Sequence, residues 1–182
     1  MLQNEFIFVR HGQSQANADG IIADETSPLT DKGCEQAQET GSKLQTLRIM
    51  TIVSSPLLRA RQTAKIIADE LDIDDYRIQI IDELRERDLG ELKGKPKTQL
   101  SEWYSNTDAQ TLEPRQALLD RMHIALKKIQ ALDEDGLVLV VGHAVSGLFL
   151  METAKGAKTV ADMTDDTQID NADFVIVQIQ NK

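Results

Sequence analysis

The sequence is poor in the features that mark secreted and membrane proteins. Cys34 is its single cysteine, so no internal disulfide can form, which favours a reducing compartment. No apolar run approaches the roughly 18 residues that a membrane span needs. The opening stretch MLQNEFIFVR also lacks the basic-then-apolar layout of a signal peptide. We therefore expect a cytoplasmic protein without a membrane partner.

Positive charge is scarce as well, because 20 Lys and Arg stand against 30 Asp and Glu, for a net charge of −10. Nucleic-acid binding needs a basic surface, so we expect no such partner. A small anionic ligand is still compatible, since a few arginines dominate the field within a Debye length of about 8 Å. Neither an HExxH motif nor paired cysteines occur, and we expect no metal and no organic cofactor.

What is present indicates one soluble domain over residues 1–182, with 41% hydrophobic and 27% charged residues. Five short β-type runs occupy 5–9, 50–53, 76–81, 137–141 and 174–179. The first and fourth are almost unbroken apolar runs, typical of strands buried on both faces, whereas the third and fifth alternate like edge strands.

Helical patterns separate these runs. Cys34, Ala37, Gly41 and Leu44 mark one helix face, with Thr30 as N-cap, and further helices are predicted over 57–71, 98–104, 115–132 and 144–153. Strands that alternate with helices predict an α/β three-layer sandwich. We expect a mostly parallel central sheet of five or six strands with helices on both faces. The acidic segment 156–173 is weakly patterned and is predicted to be a surface loop.

Residues that follow the predicted strands carry the chemistry. In open α/β sheets, ligands bind beyond the carboxyl ends of the strands. Arg10-His11-Gly12 follows the first strand, Arg59 the second, and Gly142-His143-Ala144 the fourth. The third strand is followed by ELRERDLGELKG, in which spacing alone does not choose among Glu83, Glu86 and Glu91.

Two histidines, two arginines and a carboxylate suit phosphoryl transfer through a phosphohistidine. A neutral histidine is a nucleophile, guanidinium groups match phosphoryl oxygens, and a carboxylic acid can protonate the leaving oxygen. The alternatives without a catalytic role are a surface Arg-His pair after the first strand and a solvated charged loop for ELRER. We interpret Arg61 as solvated, His123 as structural and Cys34 as a small buried hydrophobe. Trp103 is either a core aromatic or part of a wall over the pocket.

The segments FVRHGQSQAN, SSPLLRARQTA, ELRERDLGELKG, VGHAVSG and IDNADFVIV occur in that order and together resemble the histidine phosphatase superfamily, also called phosphoglycerate mutase-like. The resemblance implies His11 as the phospho-accepting nucleophile and Glu86 as the proton donor. It also implies phosphoryl binding by Arg10, Arg59 and His143, and a phosphate hydrogen bond from Asn17. Two further phosphate- or substrate-binding positions are expected next to the histidine motifs, Gln13 and Ala144.

The leading function hypothesis is a metal-independent phosphatase acting on a small phosphorylated metabolite through a phosphohistidine, with a bell-shaped pH profile in the mildly acidic to neutral range. The alternatives are a cofactor-dependent phosphoglycerate mutase and a non-catalytic protein that binds phospho-ligands. We expect the 91–135 segment to be a substrate-covering insertion. The interval 91–142 is short beside that of true mutases, which favours the phosphatase. A monomer and a homodimer are both compatible with the sequence.

Overall fold

The protein was analysed as a computed structural model that describes residues 4–99, 111–132, 136–164 and 169–180. Its strands are β1 (Glu5–Arg10), β2 (Ile49–Ser54), β3 (Ile78–Ile80), β4 (Leu137–Gly142) and β5 (Phe174–Gln178). Its α-helices are α1 (Gln15–Ala18), α2 (Asp31–Leu44), α3 (Leu58–Glu70), α4 (Arg115–Gln130) and α5 (Ala144–Ala154). None of the helices in these ranges is long and apolar enough to cross a membrane.

The five strands form one sheet in the order β3-β2-β4-β1-β5. All neighbouring pairs run parallel except β1 and β5, which are antiparallel. The mostly parallel sheet is confirmed, and so are the two alternating runs as its edges. Strand β3 is shorter than predicted, because Arg77 N donates to Asp74 O and closes a 3-10 turn over Asp75–Arg77 where strand was expected.

Alternation along the strands divides the core into two layers. Phe6 and Phe8 point into a cluster with α4 and α5, while Ile7 and Val9 point into a cluster with α2 and α3. All four side chains are almost fully buried. The three-layer α/β sandwich is therefore confirmed.

Local sequence explains how the helices begin and pack. Thr30 caps α2 as predicted, since its hydroxyl accepts a hydrogen bond from Gly33 N. The buried stripe of α2 is Gly33, Ala37, Thr40, Gly41 and Leu44. Cys34 lies at the edge of this stripe and is half-buried, so the expectation that it is buried in the core is wrong.

The structure also locates part of the 91–135 segment. Most of its described length is α4, which packs against the sheet through residues such as Leu118 and Met122. This helix forms part of the core layer and does not cover the cavity described below. The predicted 98–104 helix and Trp103 lie largely or wholly outside the described residues; Lys97–Gln99 forms a 3-10 turn.

Candidate active site

The topology creates a crevice at the carboxyl ends of β1 and β4. These strands are neighbours, with Arg10 opposite Gly142, yet the helices that follow them pack on opposite faces of the sheet. The loops therefore diverge at this point and leave room for a ligand. His11 and His143 meet there, with ring centroids 5.1 Å apart in an edge-to-face arrangement.

A cavity of about 320 Å³ opens above this crevice. Six of the predicted site residues line it: Arg10, His11, Asn17, Arg59, Glu86 and Ala144. His143 is fully buried beside His11. Other lining residues include Asp24, Glu25, Leu57, Arg85, Arg87, Asp88, Lys93, Lys97 and Val145. The structure thus gathers at one place side chains that come from four different strand ends.

Gln13, unlike the other predicted site residues, neither lines the cavity nor packs against a residue pair at its base. Its side-chain oxygen instead accepts a hydrogen bond from the Thr30 hydroxyl, at a distance of 3.0 Å. Its backbone carbonyl also accepts from Thr30 N. Gln13 therefore ties the β1 loop to the start of α2 rather than facing a ligand.

Hydrogen bonds fix the protonation pattern of the His11 ring. Nδ1 lies 2.7 Å from the Gly12 carbonyl oxygen, which can only accept, so Nδ1 carries the proton. Nε2 receives a hydrogen bond from Arg59 Nε at 3.2 Å, and a guanidinium can only donate. The two contacts are consistent with one neutral tautomer, in which Nε2 carries no proton and its lone pair, shared with Arg59 Nε, is the nucleophilic position.

The surroundings keep His11 neutral. Burial lowers its pKa from 6.5 to about 3, with the positive charges of Arg59 and Arg10 acting in the same direction against the Gly12 hydrogen bond. The pKa of His143 is also well below its usual value, first through burial and then through His11 and nearby arginines. Both rings therefore resist protonation in the folded protein.

The two arginines are anchored on one side by backbone carbonyls. Arg59 Nη1 donates to Asp24 O at 2.7 Å, and Arg10 Nη1 donates to Ile169 O at 2.8 Å. Burial lowers the pKa of both guanidinium groups, and the Glu86 carboxylate opposes that effect. Because arginine titrates far above neutral pH, both remain cations.

Two buried side-chain nitrogens lack a hydrogen-bond partner within the part of the chain that the structure describes. They are Arg10 Nε, in the residue before His11, and Nδ1 of His143, whose ring packs against that of His11. Buried polar atoms are otherwise almost always paired, so an unpaired pair at one place indicates a ligand with acceptor atoms. A tetrahedral oxyanion next to His11 would supply them.

His143 begins helix α5 and is held from the β2 side. Its Nε2 lies 2.8 Å from the Ser55 hydroxyl, which accepts from Leu57 N and donates its own proton to Nε2, so the ring proton is on Nδ1. Ser55 N in turn donates to Val141 O. The end of β2 thus fixes the histidine that β4 supplies.

Glu86 is bound at the start of the same helix. Its Oε1 accepts from Ser146 N at 2.8 Å, and its Oε2 accepts from Val145 N at 3.1 Å. Arg87 N donates to Oε1 as well. An acidic side chain at a helix N-terminus is favoured by the exposed backbone N–H groups and by the helix dipole. Of the three glutamates left open by spacing, Glu86 is the one that lines the cavity; Glu83 forms an ion pair with Lys128 instead.

Asn17 is oriented by the loop that carries it. Its Oδ1 accepts from Ser14 N at 3.1 Å and Ser14 Oγ at 3.0 Å, and from Asn171 Nδ2 at 3.4 Å. With the oxygen held inside the protein, the amide NH₂ group lies on the opposite side. Because Asn17 lines the cavity, that NH₂ group is a donor for a bound anion.

Gly12 is required by packing against a helix. A Cβ atom at Gly12 would lie 2.3 Å from Gly33 O, and one at Gly33 would lie 2.1 Å from Gln13 O. The two backbones are therefore in direct contact, and Gly12 N donates to the Thr63 hydroxyl at 3.1 Å. The loop after β1 is therefore packed directly onto the start of α2.

The opposite side of the cavity, which we call the outer rim, consists of Glu25, Asp88, Lys93 and Lys97. Lys93 bridges the two acids, at 2.6 Å from Glu25 and 3.0 Å from Asp88. Lys97 is exposed, and its pKa is lowered by partial burial and by the charges of Arg10 and Arg59. Lys97 was not assigned to the site from the sequence, and only its place beside the arginines in the fold reveals it.

No cluster of three or more His, Cys, Asp or Glu that could hold a metal ion occurs among the residues covered by the structure.

Comparisons with known proteins show what the chain is similar to. Residues 6–182 match the model of the histidine phosphatase superfamily (branch 1). A "Probable phosphoglycerate mutase GpmB" from Citrobacter koseri is 36% identical over 166 residues, which are 85% of this chain and 76% of that protein.

Solved structures share the fold. The α-ribazole phosphatase from Shigella flexneri superposes with a TM-score of 0.81 at 23% identity, covering 97% of this chain and 91% of that one. A phosphoglycerate mutase from Bacillus anthracis has a TM-score of 0.75 at 22% identity, covering 96% and 89%. At these identities the likeness shows the fold alone.

Proposed function

The chain belongs to the histidine phosphatase superfamily, and on that premise we propose that it is a metal-independent phosphatase that hydrolyses a small phosphomonoester through a phosphohistidine on His11. One observation carries the proposal: the Nε2 lone pair of a neutral His11 lies against Arg59, with the unpaired Arg10 Nε and His143 Nδ1 nearby. A nucleophile, its cationic binding groups and a carboxylate line or adjoin one cavity.

In the first step, His11 Nε2 attacks phosphorus and the phosphorus–oxygen ester bond breaks. Arg59 shifts its Nε donor from the ring to a phosphoryl oxygen, and Arg10, Asn17 and His143 bind the other oxygens. The Nδ1–H bond to Gly12 stabilises the positive charge that develops on the ring. Glu86, entering as the carboxylic acid, gives its proton to the leaving oxygen, which departs as an alcohol.

In the second step, the Glu86 carboxylate accepts a proton from water as the water oxygen attacks phosphorus. The phosphorus–nitrogen bond breaks, the electron pair returns to Nε2, and inorganic phosphate leaves. His11 and Glu86 are then back in their starting protonation states, so the cycle balances. The cationic groups act in both steps by stabilising charge on the transferring phosphoryl group.

A phosphoglycerate mutase is the second candidate, and Lys97 is the observation that favours it. This lysine adds a cation beside Arg10 and Arg59, where a substrate with a second anionic group would profit from it. A GpmB protein is also named a probable mutase. We place the phosphatase first because the segment between Glu91 and Gly142 is short beside that of true mutases.

Trapping the phosphoenzyme tests the mechanism. With ³²P-labelled phosphomonoesters and acid-free quenching, we expect label on His11 that is stable to base and lost in acid, and none in His11→Ala. His123→Ala is the matched control, since His123 lies on α4 outside the cavity and contacts Leu119 O. Phosphate on another residue, or turnover that survives in His11→Ala, would contradict the proposal.

A coupled assay of phosphoglycerate interconversion, with and without bisphosphoglycerate, separates the two candidates. The phosphatase predicts release of inorganic phosphate with little interconversion, and robust interconversion would instead establish the mutase. A panel of phosphorylated metabolites then identifies the substrate, and EDTA should leave turnover unchanged if no metal takes part.

A further inference from the structure

The segment 169–173, which we call the back turn, holds the Arg10-His11 dipeptide from behind. Ala172 N donates to Arg10 O at 2.9 Å, and Arg10 N donates to Asp173 O at 3.2 Å. Ile169 O receives the Arg10 guanidinium. The segment predicted to be an acidic surface loop therefore binds the backbone N–H, the backbone carbonyl and the side chain of Arg10, which lines the cavity.

Within the back turn, Asn171 contacts two further site residues through one atom. Its Nδ2 donates to the carbonyl oxygen of His11 at 2.9 Å and to Asn17 Oδ1 at 3.4 Å. The first bond holds the backbone that carries the nucleophile. The second helps to keep the Asn17 oxygen inside the protein, which leaves the Asn17 NH₂ group on the cavity side. One amide group thus links the position of His11 to the orientation of Asn17.

The neighbouring residue is held in a conformation that is unfavourable for it. Ala172 has φ +58 and is almost fully buried, and the left-handed region is unfavourable for a non-glycine residue because Cβ crowds the following carbonyl oxygen. Its carbonyl oxygen accepts from the Thr40 hydroxyl on α2, and its N–H is bound by Arg10 O. Strain of this kind persists where the surroundings determine the geometry, often beside functional sites. Asn171, whose side chain reaches His11 O, directly precedes this strained position.

We propose that Asn171 is a positioning residue, which sets the relative placement of the His11 nucleophile and the Asn17 donor through its two Nδ2 hydrogen bonds. This inference rests on the proposed function, in which His11 is phosphorylated and Asn17 binds the phosphoryl group. It assigns a role to a side chain that does not line the cavity. Asn171 contacts no reacting atom and acts only through residues that do.

The test compares Asn171→Ala with Asp170→Ala. Both variants shorten a side chain of similar size on the same turn, but the Asp170 side chain is exposed to solvent and acts on the site as a screened charge near Arg10. In Asn171→Ala we expect the phosphorylation rate constant, measured per phosphorylatable site, to fall by at least about tenfold, since misplacement of a reacting group by about 1 Å can cost a hundredfold.

The dissociation constant of Asn171→Ala for inorganic phosphate should rise by about threefold or more, as expected when one hydrogen-bond donor is lost. Asp170→Ala should stay within about twofold of the wild type on both measures.

A purely structural role for Asn171 gives a different result. Loss of folded protein would lower the burst amplitude of phosphoenzyme formation while leaving the rate constant per site and the phosphate dissociation constant unchanged, and that outcome would overturn the inference. If Asn171→Ala does not fold, Asn171→Ser serves, because its shorter hydroxyl donor should give losses in the same direction; wild-type values would again overturn the inference.

Failure of the proposed function gives a third, separate pattern. In that case wild-type protein forms no phosphohistidine, whereas the phosphate dissociation constants of Asn171→Ala and Asp170→Ala still decide the role of Asn171. A higher phosphate dissociation constant in Asn171→Ala alone supports a role of Asn171 in positioning the anion site. Equal dissociation constants in the two variants refute that role.

Discussion

The two sides of the cavity are built in different ways. Arg10, His11, Arg59 and His143 form a histidine–arginine cluster that follows three strands of the sheet, and three of its members are more than 95% buried. The outer rim lies on connecting segments, and its ion pairs between Lys93 and the acids Glu25 and Asp88 are half-exposed to exposed. Burial and backbone anchors give the cluster one geometry, whereas the rim is held by contacts that water and salt weaken.

This difference separates chemistry from selectivity. A substitution in the cluster leaves an unpaired buried group or displaces a reacting atom, so we expect large losses in turnover. A substitution in the rim changes a solvated contact, so we expect small changes in substrate binding. Substitutions in the outer rim can therefore alter substrate preference while the histidine–arginine cluster, which contains the proposed nucleophile, stays the same.

Arg59→Lys should have the largest effect among the variants considered. A lysine cannot maintain the contacts to both His11 Nε2 and Asp24 O from one planar group. We expect kcat to fall by about 10²–10³, as when a preorganised donor is removed from a charged transition state. Arg61→Lys, two residues along α3 and exposed, is the control and should behave as wild type in steady-state assays. An equal loss of kcat in both variants would show that Arg59 contributes no more to turnover than an exposed arginine.

The depressed pKa of His11 predicts how acid affects the cluster. With a pKa of about 3 folded and 6.5 unfolded, the unfolded state binds the extra proton between these values. The stabilising effect of the neutral ring is therefore complete above about pH 6.5 and is lost as pH falls toward 3, by about 1.4 kcal/mol per pH unit. Denaturant unfolding of the wild type and His11→Asn at pH 4 to 7 should show this difference in slope. Parallel curves would refute it.

The same shift changes the expected activity profile. We expected an acid limb in the mildly acidic range, where an ordinary histidine titrates. A free-enzyme pKa of about 3 moves the acid limb of kcat/KM that belongs to His11 well below that range. An acid limb near pH 6.5 that a His11 titration reproduces by NMR would contradict the burial argument.

Thr63→Val tests the anchors behind the cluster. The Thr63 hydroxyl accepts from Gly12 N and donates to Arg59 O at 2.8 Å, so it joins the nucleophile loop to the helix of Arg59. Valine keeps the shape but leaves the buried Gly12 N–H unpaired, at a cost of about 1–3 kcal/mol in the free energy of unfolding. We also expect kcat to fall by about tenfold, as a displaced reacting group predicts.

Thr63→Ser supplies the matched control, because it keeps the hydroxyl and loses a methyl group. Its kcat should remain near the wild-type value while its stability falls by about 1 kcal/mol. A serine variant that loses as much activity as the valine variant would show that packing, and not the hydroxyl, positions the loop.

Lys97→Ala should have the smallest effect and should act on the rim alone. We expect KM to rise by about two- to fivefold with kcat unchanged, since an exposed charge contributes about 0.2–1 kcal/mol. The difference from wild type should shrink as ionic strength rises. Lys127→Ala, on α4 and outside the cavity, is the comparison variant. A large loss of kcat in Lys97→Ala would show that this lysine takes part in turnover and does not act on substrate binding alone.

Sequence reasoning succeeded where burial dictates the pattern. Strands β1 and β4 read as apolar runs because both faces are covered, and the residues after them were placed at one end of the sheet for that reason. Thr30 was found because capping chemistry is local. The choice of Glu86 rested on the resemblance, and in the structure it is the glutamate bound at the start of α5.

The errors and omissions share a cause in tertiary contacts. Gln13 was expected in the site because it is close in sequence, but its bond to Thr30 turns it toward α2. Asn171 lies within the weakly patterned acidic segment 156–173, and the left-handed backbone of its neighbour Ala172 leaves no trace in residue type. Lys97 is a surface lysine until the fold brings it beside two arginines.

The position of β1 in the sheet has a consequence for synthesis of the protein. Both neighbours of β1 come late in the chain, since Phe6 pairs with Val138 on one side and Val177 on the other. At a translation rate of about 5–20 residues per second, this apolar strand waits on the order of ten seconds before its first partner is made. Contacts so distant in sequence also slow folding. The strand that leads to the proposed nucleophile is thus exposed to aggregation for the longest time, and the candidate site can assemble only near the end of synthesis.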